Sequence, residues 1–159
     1  MKTLITPNRV IELAFGVGEY LDSGSISQTT ILSVEQQRIK PVIGESLYEK
    51  LLLGEYTSLC EEFIHPIIAL CVKLKVMPQL RIRIGPCGIC EPSGEGFNPA
   101  SDRAIYTSRR TLRNQIQSLL QRLNMELERL HLLGELPEYN PKTNILNRCR
   151  IYGDIVQNL

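Results

Sequence analysis

The sequence predicts a mainly α protein: a helical bundle with one long C-terminal helix and a short β-ribbon. Three observations carry this. Apolar residues recur at three- and four-residue steps in five separate stretches. Only Arg81-Ile82-Arg83-Ile84 alternates with the period of two that a strand requires. Leu112, Ile116, Leu119, Leu123, Leu127 and Leu130 form a near-heptad stripe along the longest helical pattern, Ser101 to Leu133.

Size and composition fit one globular domain. A chain of 159 residues with 43% hydrophobic and 22% charged residues can bury a core without disulfides or metal. Tryptophan is absent, so that core must be largely aliphatic. A net charge of +1 gives no bulk attraction to nucleic acid or to a membrane. No apolar run approaches the length of a membrane span, and the first residues lack the apolar region of a signal peptide. Five cysteines, an odd number without framework spacing, fit a reducing compartment. The expected division is residues 1–135 as the helical domain, with a ribbon near 80–91, and 136–159 as a C-terminal arm.

The elements follow in order. Thr6 caps a first helix that opens on Pro7 and runs to about Phe15, with Ile5 and Val10 placed as a hydrophobic staple. Tyr20 to Ser25 reads as a loop or short turn. Ser27 starts a second helix whose face is Ile31, Leu32, Val34, Ile39 and Val42. Pro41 is expected to stop or kink it near Ile39, because proline removes a donor and clashes with the preceding turn. Gly44 suits a positive φ, and a short helix then carries Leu47, Tyr48, Leu51 and Leu52 on one face up to Gly54. Glu55 to Met77 is helical again. Pro66 divides it into a short piece ending near Ile64 and a longer, central piece from Pro66 to Val76, stopped by Pro78. Lys73 and Lys75 suit the negative end of that helix. Gly85-Pro86 turns the ribbon, and Cys87 to Glu91 returns. Gly134 and Pro137 end the long helix, and the tail beyond Leu136 is either a docked arm or loose.

Ile39-Lys40-Pro41-Val42-Ile43-Gly44-Glu45-Ser46-Leu47-Tyr48-Glu49-Lys50-Leu51, preceded by Gln36, resembles the core motif of head–tail connector (adaptor) proteins of tailed phages and prophages. The order of parts is also similar: Ile5-Thr6-Pro7, then His65-Pro66, then Met77-Pro78-Gln79-Leu80, a ribbon and a long helix. The resemblance covers roughly Ile5 to Leu133 and leaves out Cys87-Gly88-Ile89-Cys90 and the tail. It implies a non-enzymatic structural subunit that forms a ring with copies of itself beneath a portal protein and meets a tail or stopper protein. DNA would pass through that ring without sequence recognition, and no membrane is involved. The implied location is the host cytoplasm during assembly and then the head–tail junction of the virion. Pro41, Gly44, Leu47 and Tyr48 match the motif and read as architectural. No catalytic residue, cofactor or metal is implied.

The remaining chemistry is sparse. Cys87-x-x-Cys90 is half a zinc site, and no second pair completes it. His65 and His131 are the only histidines. Neither belongs to a nucleophile or metalloprotease motif, and no phosphate-binding loop is present. His65 reads as a helix-junction residue, and His131 suits a helix C-terminus. The distinctive feature is basic. Arg103, Arg109, Arg110 and Arg113 crowd the first half of the long helix, and Arg81 and Arg83 lie on the ribbon. Such a cluster is either a solvated face or a patch for DNA phosphates or for an acidic neighbour, with Glu55, Glu61 and Glu62 as candidates. The alternative class is a small helical nucleic-acid-binding protein with a zinc knuckle at Cys87 and Cys90.

Overall fold

The computed structural model describes residues 2–16, 23–80, 83–85, 88–90, 101–147, 149–152 and 155–158. The strand segments and residues 79–80 are described by their backbone. The chain is mainly helical: α1 (Pro7–Ala14), α2 (Gln28–Val34), α3 (Lys40–Ile43), α4 (Glu45–Leu52), α5 (Thr57–Leu59), α6 (His65–Leu80) and α7 (Asp102–Leu132). In the backbone, Arg83–Gly85 pairs antiparallel with Gly88–Cys90, and Cys149–Tyr152 with Ile155–Asn158.

Helix starts follow local chemistry. Thr6 accepts a hydrogen bond from the Arg9 N–H, Ser27 from the Thr30 N–H, and Ser101 from the Ala104 N–H. Each satisfies a donor that the first turn leaves over. Ile5 and Val10 are both buried, as are Ile26 and Ile31. Helix exits use glycine: Gly44, Gly54 and Gly134 have φ of +86°, +89° and +74°.

The helix stops expected at the prolines are absent. The second helix neither stops nor breaks at Ile39. It passes through a five-residue π turn, Glu35–Ile39, straight into α3 with Pro41 inside. The Lys40 N–H reaches back five residues to the Glu35 carbonyl. The extra residue opens the turn where the proline ring would press on the carbonyl four residues earlier. Residues 60–66 repeat the device. A π turn, Cys60–Ile64, closes with the His65 N–H on the Cys60 carbonyl, and Pro66 follows within α6. The expected break at Ile64 is therefore absent, and 57–80 is one helical path. Pro78 does not stop α6 either, since the helix continues to Leu80. There the proline forfeits one bond in the last turn, where fraying already weakens the ladder.

α6 is the centre. Ile67, Ile68, Ala69 and Val72 are fully buried, and α1, α2 and α7 pack around them. α7 adds Ile116, Leu123 and Leu127, with Leu119 and Leu130 half-buried at its edges; Leu112 is buried apart from this cluster. Lys73 and Lys75 do not serve their own helix end, because α6 runs on past them. Lys73 Nζ instead donates to the Ala14 carbonyl (2.8 Å) at the C-terminus of α1, above the Phe15 ring, and Lys75 Nζ donates to Ser33 Oγ (2.6 Å).

Residues 136–147 dock. Leu136 and Tyr139 enter the core. Buried Asn144 donates to Tyr139 Oη (2.8 Å) and to Asn124 Oδ1 on α7, and its Oδ1 accepts from the Leu146 N–H (2.9 Å). The buried amide of Asn144 thus has its polar groups satisfied, as burial demands.

Candidate functional site

The corner places the motif residues. Leu47, Tyr48 and Leu51 lie on the inner face of α4, and Gly44 supplies the turn before it. Gly44 combines its positive φ with ψ 164°, a region closed to side chains. Pro41 sits half-buried within α3. The corner angle is therefore set at Gly44, and Pro41 marks the end of the π turn.

Beneath the corner lies a polar group that the sequence reading passed over. Glu35, the first residue of the π turn, is fully buried. Its Oε1 accepts from the Leu4 N–H (2.8 Å) and its Oε2 from the Tyr48 hydroxyl (2.7 Å). Burial holds its carboxyl above the usual range, opposed by those hydrogen bonds. The second π turn supplies the counterpart. His65 Nε2 donates to the Leu4 carbonyl (2.9 Å), with Cys60 Sγ 3.2 Å away. Both backbone groups of Leu4 are therefore held, one by each wide turn. Desolvation lowers the pKa of His65, so the ring is held neutral, and its Nδ1 is buried without a partner. Burial pushes the Cys60 thiol up to about 12. A thiol that stays protonated is no nucleophile, and this Cys–His pair is a structural contact. The signal for Glu35 was present: it lies four residues after Ile31 and four before Ile39, within the apolar face.

The arginines divide. Arg103, Arg110 and Arg113 are exposed on α7, and no ion pair among the described residues involves them. Arg109 turns toward the core side, half-buried, with its Nε buried and unpartnered. Tyr106, 64% exposed, stands three residues after Arg103 and four before Arg110, so the three share one face. Tyr106 was not singled out in the sequence, because an exposed tyrosine leaves no periodic trace. Arg81 and Cys87 lie outside the described residues, and Arg83 and Cys90 are described by backbone alone. Among the described residues, no group of three or more His, Cys, Asp or Glu could hold a metal ion, and no helix is long and apolar enough to cross a membrane.

Charge is segregated along α7. From Arg103 to Met125 it has five arginines and no acid; from Glu126 to Glu138 the chain has four glutamates against Arg129. At the acidic end a groove of about 390 Å³ runs between the second π turn and α7. Tyr56, Leu59, Phe63 and Leu130 form its apolar walls, and Glu62, Glu126 and Arg129 also line it. Arg129 is tied to Glu126 through Nε (3.0 Å) and Nη2 (2.6 Å). Tyr56 holds φ +54°, and its hydroxyl donates to Glu138 Oε2 (2.8 Å). Arg122 covers the Phe63 ring at 5.4 Å. Glu55, expected to be available to a neighbour, accepts from Lys50 Nζ (2.9 Å) within its own chain; Glu61 and Glu62 are exposed and outside any ion pair found among the described residues.

No curated protein and no solved structure matches this chain. One family model does, and its span takes in the corner, the groove and all of α7. It matches residues 39–145, about two thirds of the chain, and the protein therefore belongs to that family, a family of unknown function (DUF6712).

Proposed function

We propose that this chain is a structural virion protein, a ring-forming head–tail connector that joins a phage portal to the tail. The resemblance at Ile39 to Leu51 suggests the class. The observation that carries the reading is the segregation of charge along α7. A ring built head to tail uses two different surfaces of each subunit, and a basic stripe at one end with an acidic groove at the other supplies two complementary ones. The ribbon near 80–91 is the further candidate, because a short ribbon needs a partner and offers an edge to one. Portal and tail or stopper proteins are the expected neighbours, with DNA passing through the centre. Mass spectrometry and immunogold microscopy of purified particles test this. The chain is expected at the head–tail junction in stoichiometric amount, and its absence from complete virions overturns the proposal.

A second reading, a small helical nucleic-acid-binding protein, draws on Tyr106 standing among arginines, since aromatic and basic groups together suit bases and phosphates. Stoichiometric zinc at Cys87 and Cys90, with salt-sensitive DNA binding by the purified chain, would favour it.

A further inference from the structure

We infer that Tyr106 and its flanking arginines on one copy seat in the groove between the second π turn and α7 of the next copy. The inference rests on the ring reading and names its contact. Three features of the molecule support it. The stripe is a knob: an exposed ring with Arg103 and Arg110 one turn to either side, seven residues or about 10 Å apart. The groove is a matching socket of about 390 Å³, with aromatic and leucine walls and a carboxylate edge at Glu62, beside exposed Glu61. Of the two described cations at it, Arg129 is held by Glu126 and Arg122 is stacked on the Phe63 ring. The two features are also far apart on the same chain. Arg110 precedes Glu126 by sixteen residues of helix, about 24 Å, so a chain cannot fill its own groove with its own stripe. That separation is what makes the contact propagate from copy to copy. One aromatic knob with rim charges is a small interface, so association of the free subunit is weak and salt-sensitive.

Disulfide trapping in the full chain tests this, with Cys87, Cys90 and Cys149 replaced by serine. Thr107→Cys, next to the intact ring, with Ser58→Cys, which lines the groove, should give a ladder of dimers, trimers and higher species on oxidation. Thr107→Cys with Glu12→Cys on α1 should not. Reversing Arg103, Arg110 and Arg113 to Glu should suppress the ladder at least about tenfold. Reversing Glu61 and Glu62 to Lys should do the same, and combining both sets in one chain should restore it. No ladder, an equal ladder in the control, or a ladder indifferent to both reversals overturns the inference. Salt-sensitive binding of labelled duplex DNA that the arginine reversal abolishes, while the ladder persists, also overturns it and assigns the stripe to nucleic acid. Rings on virions that survive both reversals defeat this contact but not the connector reading. A charge-dependent ladder from a chain absent from virions defeats the connector reading alone.

Discussion

Replacing Glu35 by alanine should be among the most damaging single changes outside the aliphatic core. The carboxylate accepts from the Leu4 N–H and the Tyr48 hydroxyl, and it is fully buried. Hydrogen bonds to a charged group contribute about 1.5–3 kcal/mol each, so two lost together cost about 3–6 kcal/mol. Removing a buried carboxylate also removes its desolvation penalty, which offsets part of that loss. The net expectation is about 2–3 kcal/mol. In a chain of this length that lowers the melting temperature by about 5–10 °C. Glu35→Gln keeps the volume and one acceptor, and Tyr48 can turn its hydroxyl to accept, so it should cost about 1 kcal/mol. The two variants also separate by pH. The folded carboxyl titrates above its unfolded value of 4.5. Its contribution is therefore fully present below that pH and is lost as pH rises through the folded pKa. Glutamine has no such term, so the gap between native protein and Glu35→Gln should narrow as pH rises above 4.5. Urea unfolding across that range measures it. Equal midpoints for the native protein and Glu35→Ala, or a gap that widens with pH, would refute the reasoning.

Three further outcomes are expected. Gly44→Val should lose about 1–3 kcal/mol from backbone strain: a Cβ there meets only Thr143 Oγ1 at 3.7 Å, an ordinary contact, so a wild-type urea midpoint would mean the φ of +86° is not required. His65 has a pKa lowered from 6.5 by burial, so the folded state resists its protonation and stability is lost as pH falls below that value; His65→Gln should flatten this limb between about pH 7 and 5 in the same titration. Cys60, pushed up to about 12, and Cys71, pushed up to about 11, should resist iodoacetamide in native protein and react once urea unfolds it, as peptide-resolved mass spectrometry will report.

Much of the helical plan was legible because it rests on local chemistry. Thr6-Pro7 and Ser27 mark starts through side-chain oxygens, Ser101 was one of two candidates with Asn98, and Gly44 and Gly134 mark ends through their freedom at positive φ. The leucine stripe of α7 was legible because its period is long and unbroken. The prolines were misread for a definite reason. The rule that proline ends a helix assumes a four-residue ladder, and at Pro41 and Pro66 the ladder had already widened to five. Glu35 was passed over because only apolar residues were counted in the face of the second helix, although its spacing from Ile31 and Ile39 places it there. At the candidate surface, charge was readable and geometry was not. Arg103, Arg110 and Arg113 face solvent as a solvated or binding patch requires, but sequence could not turn Arg109 away from them or bring Phe63 and Leu130 to one groove.

The two wide turns have a consequence for how the molecule can move. A π turn in an ordinary helix is free to travel, since each hydrogen bond can hand its extra residue to the next. Here a proline stands directly after the closing residue of each, with no N–H to receive the exchange. The wide turns are pinned. Because Glu35 opens the first turn, His65 closes the second and both hold Leu4, pinning fixes the rotational phase of α3 and α6 relative to the N-terminal segment. The helices that carry the corner and the core are thereby keyed in one register to the N-terminal segment.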